Sequence, residues 1–325
     1  MSDTAIDSRT PTFSELPTLP ESNERHAWDV WGRQDQLGSV NRIGPDEVAA
    51  AARLVNSGKV VSLSLPLDEP NPGLFPNRTP YKHVMTKSGH GRDDRLDGLY
   101  PQFSSQFDGL RHVRFRNHGY WGGRQDEEVD NEGALGIERW AQRGLIGRGV
   151  LLDVRRHYER TGRELAPDRK ETFRPDLLDE VAAAQGVRLQ SGDIVIVRTG
   201  WTAWYLSLDD ATRLELHGSV GREPSPLACP GLDAHQETAA WLWDRGVAVI
   251  ASDNVAVEAL PVDRGAGFLH YRMIPLLGLV VGEFWYLEDL SRACADTGRY
   301  EFLFMAGVMN LPGGVGSPAN AYAVL

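Results

Sequence analysis

Four short apolar runs set the limits on this fold: Gly149–Val154 (GVLLDV), Asp193–Thr199 (DIVIVRT), Val247–Ala251 (VAVIA) and Leu276–Val281 (LLGLVV). Each is too short for an ordinary amphipathic helix and reads as a buried strand. Between them lie helical patterns at Pro175–Gly186 and Gln236–Arg245, and a short one at Gly136–Arg143 ends at Gly144. Upstream, Pro45 occupies a first helical position ahead of Asp46–Ser57, and Gly58 closes that helix. Lys59–Pro66 then alternates as a strand, and Glu301–Val308 supplies another. Buried strands alternating with helices predict an α/β fold, a mixed β-sheet with helices on its faces. Asp68–Leu99, rich in Pro, Gly and Asp, reads as a surface excursion that interrupts this rhythm.

No shift in composition marks a linker, so residues 25–325 are expected to form one domain. Met1–Glu24 is polar, rich in Pro, Ser and Thr, and lacks an apolar core, so it reads as a flexible arm rather than a signal peptide. The formal charge of −11 argues against nucleic acid or an anionic membrane as a partner, since both demand a basic face. The longest apolar stretch, Met273–Trp285, is broken by Pro275 and Glu283, which is incompatible with a membrane span. A cytoplasmic location is the default expectation. Two cysteines, Cys229 and Cys294, cannot build a disulfide framework or a thiolate zinc site, whereas 9 histidines and many carboxylates leave nitrogen and oxygen ligands available.

There is no phosphate loop, no dinucleotide glycine fingerprint and no serine nucleophile elbow. Gly313–Gly316 is better read as a turn than as a phosphate cradle, because no helix follows. Three segments could carry chemistry. In Gln102–His118, Gln106, Asp108 and His112 share an even spacing that places them on one face of an extended chain, and a turn at Gly109 would still fold His112 back over the carboxylate. Amide, carboxylate and imidazole suit a divalent ion, and equally a hydrogen-bonded pair that orders a loop. In Phe268–Leu290, Glu283 lies inside an apolar stretch and needs a partner such as a metal, an arginine or a histidine, with His270 upstream; a solvent-facing strand end is the alternative. Ser252-Asp253-Asn254 and Arg198–Trp201 each follow a buried strand, where polar residues either face a ligand crevice or cap a turn.

These segments together resemble the metal-dependent cyclase/hydrolase family of bacterial kynurenine formamidase and isatin hydrolase, and its longer cyclase branch in particular. The resemblance runs over most of residues 30–325. It rests on W-G-x-x-D-Q-L-G-S-V-N at Trp31–Asn41, G-R-G-V-L-L-D at Gly147–Asp153, the R-T-G-W and S-D-N segments, the His270…Glu283 pair with G-E-F-W-Y-L-E-D-L, and the closing G-G-V-G-S-P. It implies a barrel-like mixed sheet flanked by helices, of the swivelling β/β/α type. The family signature H-x-G-T-H-x-D-x-P-x-H falls on Gln102–His112 with departures: glutamines at 102 and 106 replace histidines, and Leu110 replaces proline.

Carried over residue by residue, the resemblance implies one divalent ion held by Gln106, Asp108, His270 and Glu283. So oxygen-rich a set favours Mn²⁺, with Zn²⁺ or Mg²⁺ next, and a metal-free site is the other possibility. His112 corresponds to the family's catalytic base, with Asp108 and Glu283 completing the catalytic set. The expected reaction is hydrolysis of a C–N bond in a small amide, or opening of a lactam or lactone ring. A biosynthetic cyclase or dehydratase using His112 and Asp108 for acid–base work is the alternative, and a metal-free binding protein is a third. Trp31, Phe107, Gln102, Trp201 and Asp253 are candidate substrate contacts, with Trp121 and Trp285 as further aromatics. The family also implies a homo-oligomer, a dimer or tetramer, to which Leu311–Leu325 could contribute.

Overall fold

The computed structural model describes residues 10–325. Its main sheet has nine strands: β1 (Val60–Ser62), β2 (Gln106–Asp108), β3 (Leu145–Asp153), β4 (Ile194–Arg198), β5 (Val249–Ser252), β6 (Val280–Glu283), β7 (Glu301–Ala306), β8 (Gly316–Pro318) and β9 (Ala321–Val324). They lie in the order β1-β9-β7-β3-β4-β5-β6-β2-β8 and curl into a half-barrel flanked by helices, as the sequence led one to expect. The centre, β3-β4-β5-β6, is parallel, and every other pairing is antiparallel. Parallel strands need long crossovers, and helices supply them: Val154–Arg160 and Pro175–Ala184 between β3 and β4, and Gln236–Asp244 before β5. With helices covering the centre, β4, β5 and β6 are buried throughout, which is why their sequences read as unbroken apolar runs.

Strand bounds at β4, β5 and β7 differ from the sequence reading by a residue or two, β3 begins earlier, at Leu145 rather than Gly149, and two strands depart further. The strand expected at Leu276–Val281 is instead Val280–Glu283, because Pro275 sits in a wide turn over Arg272–Leu276 and Gly278 adopts φ +66°. Leu276 and Leu277 are buried as turn residues. The strand expected at Lys59–Pro66 is ladder-paired only over Val60–Ser62. The excursion after Asp68 contains an antiparallel hairpin, Lys82–Lys87 with Arg92–Asp97, whose residues are almost all exposed.

The N-terminal chain around Trp31 is a clamp on that turn. Asp35 accepts the backbone N–H groups of Leu37 and Gly38 and the indole N–H of Trp121. Ser39 N–H donates to the Gly278 carbonyl at 2.8 Å, Ala27 N–H to Leu276 at 2.8 Å, and the Trp28 indole to Pro275 at 2.6 Å. Carbonyls that the irregular turn cannot pair internally are thus satisfied by the N-terminal chain. Thr10–Glu24 continues this contact: Leu16 and Leu19 are buried, and Phe13 N–H donates to Asp244 at 2.6 Å. The rest of the expected arm lies outside the described residues.

Gly38 is held at φ +61°, and a Cβ there would stand 2.2 Å from the Gly278 carbonyl oxygen. Both the left-handed conformation and the close approach of the two loops require glycine. Gly38→Ala is therefore expected to cost about 3 kcal/mol of unfolding free energy. Urea denaturation measures it, and a loss near zero would show that the clamp yields.

Candidate active site

The site grows out of the junction where the sheet turns from parallel to antiparallel. In the β2–β6 register Gln106 stands opposite Glu283 and Asp108 opposite Val281, so the amide and both carboxylates share one face. The other face is sealed by aromatics. Phe107 meets Trp285 edge-on at 5.4 Å between centroids, Trp285 stacks on Phe304, and its indole N–H donates to the Gln106 carbonyl at 3.2 Å. Of the two backbone readings open for Gln102–His118, the turn is the one adopted: His112 N–H donates to the Gly109 carbonyl at 2.9 Å, which brings the imidazole back over the carboxylate. His112 Nε2 lies 3.7 Å from Asp108 Oδ2. Of the closing G-G-V-G-S-P, the residues before Gly316 turn, as read, and Gly316–Pro318 form β8, which props this region from outside. Gly316 pairs with Asp108, and a Cβ on it would collide with the Gln102 side chain at 2.6 Å.

His270 arrives from the opposite side, on the helical turn Leu269–Tyr271. Glu258, fully buried, accepts the backbone N–H groups of Leu269 and His270 and the imidazole Nδ1–H at 2.7 Å. Phe268 stacks on the ring with 8° between planes. The imidazole is thereby fixed in tautomer and plane, with Nε2 directed at Glu283 Oε1 (3.0 Å) and Asp108 Oδ2 (3.8 Å). Asp108, His270 and Glu283 each present one donor atom, and these atoms lie within 4.8 Å of one another, all buried.

Electrostatics follow from this crowding. Burial alone would raise the Asp108 carboxyl, but His112, His270 and Arg78 hold it at about 2. Burial and repulsion from Asp108 push the Glu283 carboxyl up to about 7. Burial would discharge His270, yet the Asp108 carboxylate 3.8 Å away and hydrogen bonds to Glu258 and Glu283 carry it well above the usual imidazole range. His112 goes the other way, lowered chiefly by burial, and stays neutral at neutral pH. The two glutamines turn N–H groups toward the carboxylates. Gln106 Nε2 donates to Glu283 Oε2 at 2.6 Å, and Gln102 Nε2 donates to Asp108 and to His112 Nδ1 (3.1 Å). In that orientation Gln106 offers hydrogen rather than oxygen to the centre. It joins a ligand set only with its amide turned over, which gives up the bond to Glu283.

Asp108, His112, His270 and Glu283 line one end of a cavity of about 760 Å³. Arg78 and Phe268 line it as well, and so does a largely apolar wall that includes Phe75, Val255 and Leu260. The structure thus brings together Gln102, Gln106, Asp108, His112, His270 and Glu283. It places the remaining expected contacts elsewhere. Trp31 packs between Trp121 and Trp243 in the N-terminal clamp. Phe107 is in the core on the reverse face of β2, and Trp201 stacks on Tyr205 in a separate apolar cluster. Asp253 caps the turn after β4, accepting the N–H groups of Thr199 and Gly200 at 2.7 Å each. Of the two readings of that segment, its side chain serves the turn.

Two site residues escaped the sequence reading. Glu258 lies in an apolar stretch, A-V-E-A-L, and the argument that singled out Glu283 applied to it equally. Arg78 sits in the Pro-rich excursion, where no periodicity marks a buried role. Removing the Glu258 carboxylate strands two backbone donors and an imidazole N–H. Glu258→Ala is accordingly expected to cost about 3 kcal/mol in urea unfolding, and an unchanged midpoint would show that Leu269–Tyr271 is held by other contacts.

Comparison with known proteins accords with this geometry. A family model described as "Putative cyclase" matches residues 61–259. Among solved structures, a novel cyclase is 32% identical, with a TM-score of 0.79 and coverage of 92% of this chain and 99% of that one. An isatin hydrolase bound to the product analogue thioisatinate shares the fold at 15% identity, TM-score 0.59, covering 85% and 96% of the two chains. So does isatin hydrolase A from Ralstonia solanacearum, at 18% identity, TM-score 0.52 and coverage of 86% and 95%. No curated protein sequence matches the chain.

Proposed function

This chain belongs to the cyclase family, enzymes of hydrolase and cyclase type, and from that premise we propose that it is a metal-dependent hydrolase. Its reaction is cleavage of a C–N bond in an amide, or opening of a lactam or lactone ring. The observation that carries the reading is the buried Asp108–His270–Glu283 cluster at the end of the cavity. The donor set fits a divalent cation: two carboxylate oxygens and an imidazole nitrogen converge, and Glu283 is lifted to about 7 by burial and by Asp108, a repulsion that a cation between them relieves. Asp108, His270 and Glu283 would hold the ion, and Mn²⁺ suits the oxygen-rich set best. Bound there, the ion supplies Lewis acidity toward a carbonyl and toward water.

The chain's own groups do the rest. By accepting Nδ1–H, Glu258 keeps His270 Nε2 aimed at the centre, where it would hold the ion once the Nε2 proton is displaced. Neutral His112 accepts the proton of the attacking water as the C–O bond forms, and returns it to the leaving nitrogen as the C–N bond breaks. Accepting it at Nδ1 requires Gln102 to release its hydrogen bond, so Gln102 acts as a positioning residue for the base. The sealed aromatic face beneath β2 keeps bulk water from the far side.

A second reading has its own support. Gln102 and Gln106 satisfy both carboxylates with N–H groups alone, which leaves Asp108 and His112 able to perform acid–base chemistry without net addition of water. Product mass separates the two, since hydrolysis adds one water.

The metal assignment is tested by elemental analysis of protein loaded with Mn²⁺ and assayed on a panel of aryl formamides, lactams and lactones. One ion per chain is expected, falling below a tenth of that in Asp108→Asn. His112→Ala should retain the ion while kcat drops by roughly 10²–10⁴-fold. Full activity in both folded variants would sink the reading.

A further inference from the structure

The cavity is larger and more apolar than a hydrolytic centre alone needs, and it contains a guanidinium with one edge unpartnered among the described residues. At about 760 Å³ it falls in the range of sites that enclose drug-sized ligands. Its walls are Phe75, Val113, Val255, Leu260, Val262 and Phe268. Into this apolar space projects Arg78, at the same end as Asp108 and Glu283. The guanidinium stands over the Phe75 ring, with Cζ 3.9 Å from the centroid. One edge is spent: Nη1 donates to the Gln102 carbonyl and, at 3.4 Å, to Gln106 Oε1. The Nε and Nη2 edge donates to no protein group among the described residues, and no carboxylate lies in ion-pair distance of Arg78 there.

A guanidinium held on one edge and standing over an aromatic ring is a pre-organised fork. It matches the two oxygens of a planar carboxylate. The other arginines that line the cavity differ. Arg264 is exposed and paired with Glu223, and Arg222 is exposed at the rim. Neither is anchored beside the reacting groups.

We infer that the substrate is a bulky apolar, aromatic or alicyclic molecule bearing a carboxylate near its reacting carbonyl, and that Arg78 receives that carboxylate. The inference rests on the reading of this cavity as the active site, and it deepens that reading by naming the substrate class. It adds a selective filter: the apolar wall accepts the body, and Arg78 discriminates in favour of the anion and sets its register against Asp108 and His112.

The test is a pair of probes of matched shape, biphenyl carboxylate and biphenyl carboxamide, titrated calorimetrically into the full chain. Both Mn²⁺-loaded and chelator-treated protein are used. The carboxylate is expected to bind about tenfold more tightly than the carboxamide, with or without the ion. Arg78→Met should abolish the preference and Arg222→Met should leave it. Equal affinities in the unaltered protein overturn the proposal, and so does a preference that survives Arg78→Met or disappears on removing the ion, because the carboxylate would then be seated on the metal. Because the chelated protein shows the preference without any turnover, the result stands apart from the hydrolase assignment: failure of the unaltered protein to bind the ion or to turn over any of the panel sinks that reading alone.

Discussion

Three carboxylates, Asp108, Glu258 and Glu283, are buried around a single imidazole, and much of the surrounding structure exists to make that arrangement tolerable. Unpaired buried charge costs several kcal/mol. Here it is offset piecewise. Glu258 is neutralised by backbone N–H groups and an imidazole N–H, Asp108 by two amides and two imidazoles, and Glu283 by Gln106 and His270. The β2–β6 register makes the offset possible, because it puts Gln106 directly across from Glu283 rather than one residue away on the opposite face. Beneath, Phe107 packs edge-on against Trp285, which stacks on Phe304, so the reverse face of β2 is closed by aromatic rings. Nothing in the site is held by a single contact.

The parallel centre was legible because burial on both faces leaves an apolar signature: GVLLDV, DIVIVRT and VAVIA overlap β3, β4 and β5, although β3 extends four residues further upstream, to Leu145. The wings were harder. β2 and β8 are three residues each, too short for any alternation to declare itself, and the site depends on both. Leu276–Leu279 carried the composition of a strand but not the backbone chemistry, since Pro275 lacks a donor and Gly278 turns left-handed. Among site residues, the ones found were those with a local anomaly: Glu283 inside an apolar run, and Asp108 and His112 at even spacing. Trp31 and Trp201 were attractive for a reason that did not discriminate, because large aromatics populate cores at least as readily as ligand walls. Asp253 is at the end of a parallel strand, where functional groups gather, but three donors from the next turn claim it.

Gln102 and Gln106 link the charged groups of the site without adding charge. An amide carries both a donor and an acceptor, and at positions 102 and 106 its N–H groups bond to carboxylates. One Gln102 nitrogen reaches Asp108 and His112 together. Carboxylate and imidazole are thereby coupled through a side chain that has no charge of its own.

The strand order also ties the site to a segment far away in sequence. β8 covers the outer edge of β2, and β9 bridges β7 to β1. Gly316 is the strand neighbour of Asp108, and its bare Cα lies against the Gln102 side chain. A chain cut before β8 therefore loses the shelf on which the carboxylate and its amide rest.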